Sequence, residues 1–326
     1  MCSKSDFSKV LKEAHSGNIH YLKEFFCDNK IHWTELRYDQ TGDTIIHCAA
    51  RLGFVEMINF LLTQFSPKSV DCKNKDGKTA LHEAAQFSNS CACEKLLEHG
   101  ADVNALKRAD WTPLMLACTK THIKDSIRTV QILLQHGALV NCRNKDGWTC
   151  LHLVCREGKI EILKLLIEYG LDVRAKTRNG RTALHIAGLH GHLAIVTFLL
   201  DIGLDIEERD NCGSTALQEA ILGGHIEICK ELLKRKANVH VRSNTDYNLL
   251  HLAASEGHLD LVAFLVDDLK FDVNESNRDG LTALHCAARK KHSDMCTLLL
   301  NFGSDYDPKD KFGRTPSDYF PEMRAV

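Results

Sequence analysis

Apolar and polar positions recur along this chain in one fixed phrase. It reads TIIHCAA from Thr44, TALHEAA from Thr79, TPLMLAC from Thr112, TCLHLVC from Thr149 and TALHIAG from Thr182. It continues as TALQEAI from Thr215, NLLHLAA from Asn248, TALHCAA from Thr282 and TPSDYF from Thr315. The starts are separated by 35, 33, 37, 33, 33, 33, 34 and 33 residues. Each interval predicts two short helices. The first begins at the threonine, which can accept a bond from an orphan backbone N–H. Its small pair, such as Ala84-Ala85, lets neighbouring first helices approach closely. The second helix follows a Gly-His slot (His192, His225, His258) and ends in Leu-Leu pairs such as Leu61-Leu62 and Leu165-Leu166, with apolar residues at helical spacing. Glycine two residues before the threonine (Gly42, Gly77, Gly147, Gly180, Gly213, Gly280) predicts a tight turn with positive φ in the connecting finger.

A period of 33 with a T-P-L-H-x-A phrase resembles the ankyrin repeat. The resemblance implies an all-α repeat fold: an ankyrin-repeat solenoid of paired antiparallel helices with hairpin-like fingers. One such unit cannot bury its apolar face alone, so stacking must build the core and atypical end units must cap it. Residues 1–41 read as a degenerate N-terminal capping repeat, with Leu11, Ala14, Gly17 and Leu22 at the helical slots. Residues 42–312 read as eight repeats, and 313–326 as a partial repeat that caps the C-terminus. No linker or low-complexity stretch interrupts them, so one elongated domain is expected. Insertions near TQFSPKSV, THIKDSIRTV and DDLKFD break the register and are expected in loops.

The remaining features mostly fall into the repeat. Eighteen histidines invite a metal or catalytic reading. His47, His82, His152, His185, His251 and His285, however, all occupy the fourth slot of the phrase, where the imidazole is expected to bond the backbone of a neighbouring loop. His122, His192, His225, His258 and His292 occupy the Gly-His slot. Cys93, Cys229 and Cys296 share an apolar slot of the second helix, and Cys118 and Cys155 replace the second small alanine. Buried reduced cysteine fits both. Cys91 and Cys93 are two apart on a helix and do not face each other. No metal site, no cofactor and no catalytic residue are expected, and no phosphate loop, G-x-S-x-G or H-E-x-x-H motif is present. The net charge of −2 argues against a dedicated nucleic-acid binder. No apolar run reaches the roughly 18 residues of a membrane span, and Met1 to Phe7 lacks the apolar core of a signal peptide. A cytoplasmic or nuclear monomer is expected.

Two features stand outside this pattern. Trp111, Trp148 and Tyr247 share the slot just before the threonine, where other repeats carry Asp43, Lys78, Arg181, Ser214 and Arg314. A slot that accepts charge is expected to be solvent-accessible, and aromatic residues there suit binding anchors. The early fingers are also basic. Residues 68–79 carry Lys68, Lys73, Lys75 and Lys78 against two aspartates, and residues 171–182 carry Arg174, Lys176, Arg178 and Arg181 against Asp172. The next finger reverses sign with Asp205, Glu207, Glu208 and Asp210. Docking to an acidic partner surface or to tRNA phosphates is the sharper reading, with Lys75, Arg108, Arg174 and Arg178 as contacts beside the three aromatic residues. Asn104, Asn141 and Asn274 sit where ankyrin repeats can be hydroxylated, but a finger-turn hydrogen bond is the favoured role.

Within the ankyrin family, GDTIIHCAARLG (42–53), LKRADWTPLMLACTK (106–120), NKDGW (144–148) and RDNCGSTALQEAILGGHIE (209–227) resemble one branch, a co-regulator of alanyl-tRNA synthetase. That resemblance implies a non-enzymatic protein that binds the synthetase and accepts misactivated serine on lysine side chains. It puts the acceptor positions at Lys145, at Arg108 with Lys107 beside it, and near Arg174 with Lys176 two residues on. A guanidinium does not replace an amine nucleophile, so Lys145, Lys107 and Lys176 are the acceptor candidates. A generic ankyrin adaptor for another protein is the alternative. Nucleic acid is disfavoured except through a synthetase complex.

Overall fold

The computed structural model describes residues 4–29, 31–65, 70–119 and 125–322. The described secondary structure is helical, with isolated bridges at Arg37–Thr44 and Lys107–Trp111 and no strand. The chain divides into two compact units, Met1–Ala175 and Lys176–Val326.

In the first unit, helices pair as Lys4–His15 with Ile19–Asp28, Ile45–Leu52 with Val55–Gln64, and Ala80–Gln86 with Ser90–Glu98. Pro113–Ala117 pairs with Ser126–Gln135, and Cys150–Glu157 with Ile160–Glu168. The second unit pairs Ala183–Leu189 with Leu193–Asp201, Ala216–Leu222 with Ile226–Lys234, and Ala283–Lys290 with Ser293–Asn301. Leu249–Glu256 pairs with Leu259–Ala263, and Pro316–Tyr319 ends the described fold. First helices pack on first helices within each unit. Their small residues make this possible: Ala49, Ala84, Ala117, Ala187, Ala220 and Ala253 are fully buried.

The phrase is a reciprocal cap. In Thr44, Thr79, Thr149, Thr182 and Thr282 the backbone N–H donates to the Nδ1 of the histidine three residues on, at 3.1–3.3 Å. A backbone N–H only donates, so Nδ1 must accept and the ring proton sits on Nε2. That Nε2–H then donates to a carbonyl of the next finger: His47 to Lys78 (2.9 Å), His82 to Trp111 (3.1 Å), His185 to Ser214 (2.8 Å) and His285 to Arg314 (3.2 Å). The neutral imidazole therefore caps its own helix and staples it to the following repeat. Burial drives His47, His82, His185 and His285 below their usual pKa, His82 to about 4.

The glycine turns hold φ of 70° to 76° at the six predicted positions. Where the glycine is missing, Asp110 and Asp246 adopt the same left-handed conformation, at 61° and 63°. In the Gly-His slot, His225, His258 and His292 bond carbonyls of the preceding repeat at 3.0–3.1 Å. A Cβ on Gly224 would lie 2.8 Å from the His258 ring, so the pair is mutually required. Asn89 takes this role in an earlier repeat, donating to Ala50 and Arg51. His122 lies outside the described residues.

The register breaks are partly visible. Residues 66–69 and 120–124, at the first two insertions, lie outside the described residues. The third is not a loop. The extra residue is taken up as a π turn, Phe264–Asp268, continuing the helix Leu259–Ala263. This is a usual way for a helix to absorb one insertion. Asn104, Asn141 and Asn274 each accept from a backbone N–H of the next turn (Leu139, Asp172, Asp305) at 2.8–2.9 Å. Each also donates to a glycine carbonyl there, so their amides link successive turns rather than closing one. No described helix is long and apolar enough to cross a membrane.

Candidate functional site

Functional side chains here must come from the fingers and the exposed ends of the first helices. In the first unit, a backbone ladder aligns three fingertips. The N–H of Lys75 donates to Thr41, that of Arg108 to Asp76 and that of Lys145 to Ala109, at 3.0–3.1 Å. Lys75, Arg108 and Lys145 are thereby brought to the same place on successive fingers, all exposed. They differ in what holds them. The Lys75 ammonium donates to the Asp39 carbonyl, and Arg108 pairs with Asp76 at 3.4 Å. The Lys145 ammonium has no bond or ion pair among the described residues. Arg174 is exposed on a later turn, where its N–H is held by the Asp172 carboxylate at 3.0 Å. Lys68 lies outside the described residues.

Behind the ladder, Trp111 and Trp148 are half-buried, each with a cation against its ring. Lys107 Nζ lies 5.4 Å from the Trp111 ring centre, and the Arg156 guanidinium 5.6 Å from that of Trp148. Trp148 also meets His152 edge-on at 5.9 Å. Burial, helped by the nearby Lys78 charge, lowers the pKa of Lys107. In the second unit, Lys176 is exposed and ion-paired to Glu208, and Arg178 is exposed at its fingertip. Tyr247 is half-buried and stacks on His251 at 5.6 Å.

The slot before the threonine is not the open surface expected. Asp43 is only 2% exposed there. Arg51 explains this: its guanidinium bridges Asp43 (2.6 Å) and Glu83 (2.9 Å), and Lys78 closes on Glu83 at 3.0 Å. Burial pushes both carboxyls up, yet the bonds from Asn74 and Arg51 to Asp43, and from Arg51 and Lys78 to Glu83, outweigh it and hold both low. The slot is a semi-buried shelf, filled by cations that pair with acids or by aromatic rings that pack on their own repeat. Sequence reasoning missed this network because its members come from two successive repeats.

It also missed a group at the end of the second unit. Arg289 occupies the position of Arg51, seven residues after its phrase threonine. Around it stand Tyr247, Tyr319, Phe312 and Arg314. The recurrence of arginine at that offset was the available signal. A recess of about 830 Å³ in the first unit lies between the helix Lys4–His15 and the finger at Glu35–Asp39, and its charges are mixed. Among the described residues no group of three or more His, Cys, Asp or Glu side chains is placed to hold a metal ion. Burial pushes the Cys229 and Cys286 thiols up to about 12.

Helix pairs stapled one to the next define a helical repeat protein. The chain belongs to the ankyrin-repeat family. Family models of ankyrin repeats match residues 11–107, 64–144, 114–210 and 151–243 as three-copy arrays, and residues 224–266 and 250–300 as many-copy arrays. It is similar to protein phosphatase 1 regulatory subunit 12A of Mus musculus, 29% identical over 89 residues, which is 27% of this chain and 8% of that protein. It is also similar to BCL-6 corepressor-like protein 1 of Homo sapiens, 33% identical over 92 residues (28% and 5%). Diacylglycerol kinase zeta of Rattus norvegicus is 29% identical over 75 residues (23% and 8%). The chain spans less than a tenth of the length of each of these relatives, and the likeness covers repeats alone.

Proposed function

We propose that this chain binds a protein partner without an active site of its own, and that the partner is alanyl-tRNA synthetase. The four stretches quoted above resemble ankyrin repeat domain-containing protein 16, a co-regulator that takes misactivated serine from that enzyme. The observation that carries the reading is Lys145: an exposed fingertip amine without a partner among the described residues, in the matching NKDGW segment and close to Trp148. A seryl-adenylate is an activated acyl group. A neutral lysine nitrogen attacks its carbonyl carbon, the amide C–N bond forms, AMP leaves with the electron pair of the broken C–O bond, and the ammonium proton goes to solvent. At an ordinary pKa only about one lysine in a few thousand is neutral at pH 7, so proximity within the complex must supply the rate. Lys107, whose pKa is lowered, offers a larger neutral fraction, whereas Lys176 is engaged in an ion pair with Glu208.

The test mixes the purified chain with alanyl-tRNA synthetase, ATP and serine and reads lysine acylation by mass spectrometry. A seryl adduct at Lys145, lost in Lys145→Arg and absent with alanine in place of serine, supports the reading. Absence of any complex between the two proteins overturns it and leaves the generic adaptor.

A further inference from the structure

We propose that the end of the second unit carries a docking site for an acidic protein segment, centred on Arg289. This goes beyond the synthetase reading and does not depend on it. Arg289 sits at the same repeat position as Arg51, but both carboxylates that occupy Arg51 are missing. Leu281 stands where Asp43 would, and Tyr319 where Glu83 would. Arg289 makes no ion pair among the described residues. Its contacts are the Tyr247 hydroxyl at 3.4 Å and the face of Tyr319 at 5.9 Å from the ring centre. The side chain is exposed and lines two adjoining recesses, of about 220 and 260 Å³. A guanidinium between aromatic walls, bonded through Nη1 to Tyr247 and with its Nε–Nη2 edge unpaired among the described residues, is the arrangement that receives a carboxylate through two parallel hydrogen bonds.

The surroundings add to this. Lys290 is exposed beside it. The two local acids are already engaged. Asp279 takes Lys311, and Asp310 accepts from Arg314 (2.9 Å), the Tyr319 hydroxyl (2.8 Å) and the Phe312 N–H (2.8 Å). Burial opposes it, yet these bonds hold the Asp310 carboxyl well below the usual range, so it is an anchor for the walls. The positive charge left over is that of Arg289 and Lys290. Phe312, 68% exposed with the Arg314 guanidinium 4.7 Å from its ring centre, gives an apolar neighbour a place to pack. Protein is favoured over nucleic acid because the aromatic rings are occupied by cations, as at Phe312 and Tyr319, or stacked on a histidine of their own repeat, as Tyr247 is on His251, rather than offered as open stacking faces. The occupant that fits is a peptide with an aspartate or glutamate flanked by an apolar or aromatic residue.

The full chain is panned against a displayed library of random peptides, and the enriched peptides are synthesised. Enrichment of acidic peptides, with Kd raised about tenfold or more by Arg289→Leu, raised less by Arg289→Lys, and unmoved by Lys145→Gln, supports the site. The binding should also weaken with added salt. If Arg289→Leu disturbs the circular dichroism spectrum or melting curve, Lys290→Gln replaces it and must weaken the same peptides. The proposal is overturned if acidic peptides are not enriched or if their binding ignores Arg289 and Lys290. It is also overturned if an oligothymidylate binds this face more tightly than they do.

Discussion

Arg51 and Arg289 stand at the same step of the same repeat, and they do opposite things. In the first unit the guanidinium is enclosed by Asp43 and Glu83, and its charge is spent on holding two repeats together. In the second unit the identical side chain faces aromatic rings, with one bond from Nη1 to the Tyr247 hydroxyl and its Nε–Nη2 edge unpaired among the described residues. Glu83 and Glu219 make the same contrast from the acid side. Glu83 has Arg51 and Lys78 and is held low. Glu219, equally buried, has Arg181 at 3.2 Å, leaves Oε2 without a hydrogen bond, and is pushed up by burial. A repeat position therefore decides where a side chain goes, whereas the neighbouring repeat decides whether it stabilises the fold or remains available to a partner.

The widest test removes what both units share. His47, His82, His185 and His285 are neutral in the folded chain, and burial holds their pKa values below the free value. The unfolded chain thus binds more protons between about 6.5 and 4. Stability should be full above that window and fall as pH drops through it, with His47 and His82 acting in the first unit and His185 and His285 in the second. Urea midpoints measured from pH 7.5 downward, within about a unit of each limit, should show this; a flat profile would contradict the neutral staple.

Single substitutions then separate the units. Arg51→Ala should cost about 3 kcal/mol, because it removes the guanidinium that bridges two buried carboxylates and leaves Asp43 without a cation. All three tryptophans, Trp33, Trp111 and Trp148, lie in the first unit, so their fluorescence follows that loss. Glu83→Gln should cost about 2 kcal/mol in the same assay, while Glu219→Gln should cost under about 0.5 kcal/mol by hydrogen exchange in the second unit. Equal costs would erase the contrast. Gln218→His should gain about 1 kcal/mol, since Gln218 caps Thr215 through Oε1 but leaves its buried Nε2 without a partner where a histidine would reach the next finger. Slower exchange in the helix Ala216–Leu222 is the readout. Smallest of all, Arg289→Ala should change stability by less than about 0.5 kcal/mol.

Much of this was legible beforehand. The threonine caps, the positive-φ glycines at Gly42 to Gly280, the buried alanine pairs and the structural role of the histidines all appear where the 33-residue phrase puts them. The open aromatic slot and the loop insertion near DDLKFD were misread. The first is a half-buried position whose rings pack against their own repeat, and the second is a π turn that continues the helix Leu259–Ala263.

The chain's own order of residues determined the repeat, its register and its caps, because those rest on contacts three or four residues apart and on apolar spacing. Only the tertiary structure decided which charges are satisfied. Arg51 meets Glu83 across 32 residues, and Arg289 misses any equivalent because Leu281 and Tyr319 fill the two positions. Pairing energies depend on side chains from separate repeats meeting within a few ångströms, and that is settled by stacking rather than by local pattern.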